Sequence, residues 1–264
     1  MLWVSKDESN KMPAGTHRYP FEFDIPANCP PSLNTLGAKN KYKIEVEIDR
    51  PWKLNIKKEE QFLVSNKIEI PVGKQPKKSI RFAKLFKSGR IFNEGPVSLQ
   101  VFLPSLYCMP GETIDVKVHL KNDSADTINY ICMDFGKECH CHLRHQHHTC
   151  DNYAWNKCPL NSSDRTYGYK YIGKKTRLEI NLGPYSEKIY TIPFTIPKSL
   201  TTPSFSTGLI TFGYFLQVGF KVKGSMMADT MYFTIIVGEL KKIEEKSESA
   251  EQEEAPPSYK SLEL

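Results

Sequence analysis

Tyr42-Lys43-Ile44-Glu45-Val46-Glu47-Ile48-Asp49 alternates apolar and charged side chains without a break. Successive side chains of an extended chain point to opposite faces, so this spacing predicts a strand with one buried and one wet face. Arg50-Pro51-Trp52 ends it, because proline has no N–H for the ladder. The same period recurs at Ile114, Val116, Val118 and Leu120, set against Asp115, Lys117 and His119. It recurs again in Phe21-Glu22-Phe23-Asp24-Ile25, which stops at Pro26. Further strands are predicted at 62–64, 68–70, 97–103, 127–135, 167–172, 177–182, 188–196, 208–222 and 230–237, with a Pro110-Gly111 turn between two of them. No segment carries a 3.6-residue period. The chain therefore reads as all-β, built from antiparallel sheets throughout.

The chain has 264 residues, 39% of them hydrophobic, enough to bury a sizeable core. Net charge is +6 and unevenly spread: residues 239–264 hold eight Glu and four Lys, a net of −4, which leaves +10 for the rest. A basic body suits an anionic partner such as a phosphorylated segment or a membrane face; a well-solvated surface accounts for it equally. The N-terminus shows no apolar signal region, and the longest apolar run, residues 208–220, is too short to span a bilayer. Seven cysteines without a secretory context read as reduced thiols in the cytosol.

Pro71 to Ser79 form a polar connector. Lys74, Lys77 and Lys78, with Arg81 and Lys84 just beyond, make this region basic. It fits a docking patch for phosphorylated tails or anionic lipid, and it fits a solvated linker. After Gly238 the composition turns acidic and nearly free of apolar residues, which predicts a disordered tail. Near its end stands Pro256-Pro257-Ser258-Tyr259. Adjacent prolines favour a polyproline II ribbon, and a tyrosine two residues on fills a second pocket, the combination WW domains read.

Four separate motifs in order, Leu2-Trp3, Gly15-x-His17-x-Tyr19-Pro20-Phe21-x-Phe23-x-Ile25-Pro26, Pro30-Pro31-Ser32 and Asp49-Arg50-Pro51-Trp52, resemble the arrestin family, and more closely its α-arrestin branch. Gly95-Pro96-Val97-Ser98, Tyr107-x-x-Pro110-Gly111-Glu112 and Ile192-Pro193-Phe194-x-Ile196-Pro197 resemble that family's C-terminal lobe. The resemblance implies two immunoglobulin-like β-sandwich lobes. Residues 1–70 would be a partial N-terminal lobe, 71–79 a hinge, 80–238 the C-terminal lobe and 239–264 the tail. The family's N-terminal lobe is longer than the sequence before Pro71, so the lobe is expected to be incomplete, in a fragment or short form, with a core face left open. The resemblance also implies a function: a non-enzymatic cytoplasmic adaptor, recruited to plasma membrane and endosomes. It would link a transmembrane receptor or transporter to a WW-domain HECT-type ubiquitin ligase through Pro256, Pro257 and Tyr259, for endocytosis and protein transport. A structural trafficking subunit of retromer type is an alternative within the same fold.

One cluster lies outside that resemblance. Cys139, His140, Cys141, His142, His145, His147, His148, Cys150 and Cys158 place four thiols and five imidazoles in 20 residues. It reads as an insertion over 138–160. Soft thiolates with imidazoles suit a structural Zn²⁺. Cys139 with Cys141, and Cys150 with Cys158, are candidate ligand pairs, with His145 or His148 able to substitute. A solvated loop is the competing reading, and a zinc sensor or metalloenzyme a further one; a catalytic site would also need an open coordination position and a placed base. Phosphate-binding glycine motifs and a nucleophile elbow are absent from the sequence. Basic residues do not interleave with aromatics in the manner of a nucleic-acid platform.

Overall fold

The computed structural model describes residues 12, 14–26, 28–35, 37–50, 52–66, 68–69, 80–87, 95–143, 158 and 164–241. Nearly all regular structure among them is strand, and none is helix.

The N-terminal block makes two hairpins. β1 (Leu33–Thr35) pairs with β2 (Ala38–Asn40), and β3 (Tyr42–Ile48) pairs along its whole length with β4 (Ile56–Phe62). β5 (Ile68–Glu69) follows. In β3 the expected strand forms, but its apolar face is only partly covered: Tyr42 and Ile44 are half-buried, whereas Val46 and Ile48 are 44% and 42% exposed. A two-stranded ladder brings no second layer to close over it. Phe21, Phe23 and Ile25 belong to no strand and are exposed, a departure from the alternation read there. The strand expected at 62–64 also shifts. β4 stops at Phe62, and Val64 instead turns inward, its N–H donating to Ser32 Oγ at 3.0 Å and its carbonyl accepting from Ser32 N–H at 2.8 Å. Polar ties of this kind hold the block. Tyr42 Oη donates to the Pro30 carbonyl at 2.6 Å, and Asn40 Nδ2 donates to the Pro31 carbonyl at 3.0 Å.

The C-terminal block is a β-sandwich. One layer has four strands in the order β12-β9-β7-β6: β6 (Ile80–Lys87), β7 (Pro96–Leu103), β9 (Thr113–Asn122) and β12 (Ser186–Thr195). The other runs β11-β10-β14-β15-β8, with β13 also on β14. Its members are β8 (Tyr107–Cys108), β10 (Ile128–His142), β11 (Arg165–Leu182), β13 (Phe205–Ser206), β14 (Ile210–Val222) and β15 (Asp229–Val237). Alternate residues of β7 and β9, Val97 to Leu103 and Ile114 to Leu120, are sealed inside. They meet Ile131, Met133, Leu216 and Val218 of the facing sheet in one core. Ring pairs bridge the layers: Phe82 with Phe233 at 4.5 Å, Phe86 edge-on to Phe220 at 5.3 Å, Phe135 with Phe194 at 5.9 Å.

Three features depart from the sequence reading. The segments 167–172 and 177–182 are one strand, β11, whose register against β10 slips between Met133 and Phe135, where Gly173 takes φ +78°. β10 continues through Cys139-His140-Cys141-His142, so those residues lie in a sheet and not in a loop. Two short ladders are parallel: β8 with β15, and β5 with β16 (Leu240–Lys241). The second fastens the end of the sandwich to the N-terminal block. That junction also has Leu33 in the sandwich core and a Thr202 hydroxyl donating to the Ser32 carbonyl at 3.2 Å.

One further slip matters. Asn129 has no partner in either neighbouring strand, Ile128 facing Val222 and Tyr130 facing Lys221. After this bulge Ile131, Met133, Phe135, Cys139 and Cys141 point into the core, and the even-numbered residues from Cys132 to His142 to the outer face.

Candidate functional site

On the outer face of the six-stranded sheet Phe215 is buried, whereas the tyrosines beside it are exposed. Gly136 of β10 leaves a gap where any Cβ would lie 2.3 Å from Phe215 Cζ, and the Phe215 ring fills it. Tyr171 and Tyr232 stand edge-on to that ring at 5.5 and 5.9 Å. Tyr171 Oη donates to Gln217 Oε1 at 2.6 Å. Farther along the face, Tyr167 Oη donates to Glu138 Oε2 at 2.9 Å, and burial raises the Glu138 carboxyl to about 7 despite that bond.

Beyond Glu138 the same face presents His140 and His142, both buried, their rings 4.9 Å apart and nearly perpendicular. Cys158 lies against them, also buried. One donor atom from each of His140, His142 and Cys158 falls within 4.8 Å of the other two. The backbone of this end is well tied: His142 N–H donates to the Leu209 carbonyl and Leu143 N–H to the Asp164 carbonyl, both at 2.8 Å. The His142 ring is oriented by Nδ1, 2.9 Å from the Gly208 carbonyl oxygen, which makes Nδ1 the protonated nitrogen. Its Nε2 lies 3.5 Å from Cys158 Sγ. Arg165 Nη1 donates to the Cys158 carbonyl at 3.1 Å. His140 is held below the ordinary imidazole range by burial first, then by His142 and the Arg165 guanidinium, so it is neutral near pH 7.

The structure thus divides the ligand set read from sequence. Cys158 joins the imidazoles. Cys139 and Cys141, two residues apart on the opposite face of β10, turn into the core with their sulfurs 3.5 Å apart. The hydrogen bond the two thiols share pushes the Cys139 thiol up and pulls Cys141 down to about 7. His145, His148 and Cys150 lie outside the described residues. The sequence reading passed over His140 and His142 as ligands. Strand parity was the available signal, since Cys-His-Cys-His in a strand separates its thiols from its imidazoles.

The other candidate residues are not gathered at this site. Arg81 and Lys84 lie on β6, an edge strand, and three residues apart they take opposite faces; Lys84 Nζ sits 4.7 Å over the Phe86 ring. Lys74, Lys77, Lys78, Pro256, Pro257 and Tyr259 lie outside the described residues. A cleft of about 350 Å³ opens where β1 meets the sandwich, walled by Leu33, Lys137, Lys170, Ile172, Leu200 and Tyr214. No carboxylate, imidazole or thiol lines it among the described residues, so it offers no acid–base pair.

Comparison with known proteins accounts for most of the chain. Residues 1–71 match the family described as arrestin (or S-antigen), N-terminal domain, and residues 93–241 match arrestin (or S-antigen), C-terminal domain. Arrestin domain-containing protein B of Dictyostelium discoideum is 30% identical over 128 residues, 48% of this chain and 20% of that protein. The chain therefore matches only a fifth of that relative's length. Among solved structures, Spo0M, the sporulation control protein of Bacillus subtilis, is similar with a TM-score of 0.38 and 16% identity, covering 55% of this chain and 50% of that one.

Proposed function

Because the chain belongs to the arrestin family, we propose that it is a trafficking adaptor of the α-arrestin kind. Its folded body holds membrane-protein cargo, and Pro256-Pro257-Ser258-Tyr259 recruits a WW-domain HECT-type ubiquitin ligase to that cargo. Arrestin-family proteins are generally non-enzymatic adaptors. The observation that carries the reading is the order of parts on one chain: the N-terminal domain match, the C-terminal domain match, then the motif. A proline pair that already favours polyproline II loses little entropy when an aromatic groove takes it. Two weak contacts on one chain raise the effective concentration of ligase beside cargo, so neither needs high affinity alone. Such an adaptor works on the cytoplasmic side of plasma and endosomal membranes. No helix among the described residues is long and apolar enough to cross one.

The test is a titration of the full chain with a ligase WW domain, beside its Tyr259→Ala variant. The variant is expected to bind more than about tenfold more weakly, a loss of at least ~1.4 kcal/mol. Equal binding by the two proteins, or none by the wild type, overturns the ligase link and leaves an arrestin-fold scaffold.

A further inference from the structure

We propose that His140, His142 and Cys158 form a binding site for a borderline-soft divalent cation, Zn²⁺, on the outer face of the six-stranded sheet. This site is independent of the adaptor reading and assigns no reaction to the protein.

Geometry carries the inference. Two imidazole nitrogens and one sulfur are the donors zinc prefers, and a hard cation such as Mg²⁺ or Ca²⁺ would call for oxygens. One donor atom from each residue already lies within 4.8 Å of the others. A tetrahedral zinc with Zn–N near ~2.05 Å and Zn–S near ~2.3 Å spaces nitrogen and sulfur by ~3.6 Å along the tetrahedron's edge. Cys158 Sγ and His142 Nε2 are 3.5 Å apart.

The surroundings of the donors agree. The Gly208 carbonyl at His142 Nδ1 is the outer-shell contact that fixes a ligating imidazole's tautomer and turns its other nitrogen to the metal. His140 is 4% exposed, and its Nε2 has no hydrogen-bond partner among the described residues. An orphaned polar atom in such a position calls for an explanation, and a bound ion is one. Arg165 Nη1, donating to the Cys158 carbonyl at 3.1 Å, ties the Cys158 backbone beside the two imidazoles. Three protein donors leave a fourth position of the tetrahedron for water or another ligand. Cys158 is the one described residue between Leu143 and Asp164, so a metal would clip that long connection onto β10.

The experiment uses the full chain, stripped with a chelator, reloaded with Zn²⁺ and measured by elemental analysis, then titrated with Co²⁺ as a spectroscopic stand-in. One ion per chain and a thiolate-to-cobalt charge-transfer band are expected. His142→Ala and Cys158→Ser should each weaken binding by more than ~100-fold, beyond the usual effect of an outer-shell partner. Cys158→Ser should also abolish the band, while the double variant Cys139→Ser/Cys141→Ser leaves ion and band in place. Cys158→Ser is nearly isosteric, and the melting temperature of its metal-free form checks that the sandwich still folds. Less than one ion per chain, a band that survives Cys158→Ser, or binding lost only when Cys150 and the histidines at 145, 147 and 148 are replaced, overturns the proposal.

Discussion

β9 and β3 follow the same alternating pattern and meet different fates. In β9, Ile114, Val116, Val118 and Leu120 are all at most 4% exposed; in β3, cover falls away from Tyr42 to an open Val46 and Ile48. Both strands are fully paired along their length. Alternation therefore decides that a segment is a strand, while a second layer decides whether its apolar face contributes to stability. At about 25 cal/mol for each Å² of apolar surface removed from water, β9 gains that term in full and the far end of β3 only in part. The N-terminal block relies instead on side-chain ties around Pro30, Pro31 and Ser32, and on an exposed charge ladder of Lys43 with Glu45 and Glu59 and Lys57 with Glu47.

That contrast can be broken by mutation. Leu99→Ala removes a fully buried side chain facing Leu120 and is expected to cost about 3 kcal/mol, whereas Val46→Ala should cost less than about 0.5 kcal/mol. Urea midpoints compare the two directly, and equal costs would mean that the β3 face is covered in solution. Next in size is Asn122→Ala. This buried amide donates to the carbonyls of Asp126 and Gly183 at 2.7 and 2.8 Å and accepts from Ser124 N–H and Oγ, so its loss should cost about 2 kcal/mol by the same assay. Asn40→Ala in the N-terminal block, part-buried, should cost about half as much.

Hydrogen exchange sharpens the comparison. Amides of β3 and β4 should exchange at least ~100-fold faster than those of β9, β10 and β14; comparable rates would show that the two blocks open as one unit. Thiol labelling at pH 8 reads the same difference chemically. Burial, helped by Glu112, pushes Cys108 up to about 12, and burial also raises Cys132, so both remain thiols and should label far more slowly than half-buried Cys29. The smallest effect concerns the charge ladder. Raising NaCl to 1 M should speed exchange in β3–β4 by no more than about threefold and leave β9 unchanged, because exposed ion pairs are weak and screened.

The sandwich was legible in the sequence where inward and outward positions differ sharply, as in β7 and β9. It was illegible where that difference is small. β6 carries Arg81, Lys84 and Lys87, and the sequence marks no strand there; it is an edge strand, where lysine guards against unwanted pairing. β11 reads as two strands because Gly173 interrupts a single one. Phe21 to Ile25 reads as a strand but lacks a neighbour to pair with among the described residues. At the candidate site, composition located the Cys/His cluster but not its geometry. Which of the nine residues meet depends on where β10 ends and on the parity of its positions, and neither is marked by residue type.

Asn129 works on this strand much as an inserted letter works on a reading frame. Everything after it in β10 is read one step out of phase with everything before it, out to His142. Deleting that one residue, thirteen positions from His142, would leave two neighbouring strands holding Tyr130 to Cys141 in place, so the missing step would fall on Ile128, whose side chain would turn from the core to the outer face. One extra residue thus lets a strand that opens with Ile128 inside the core close with its imidazoles outside it.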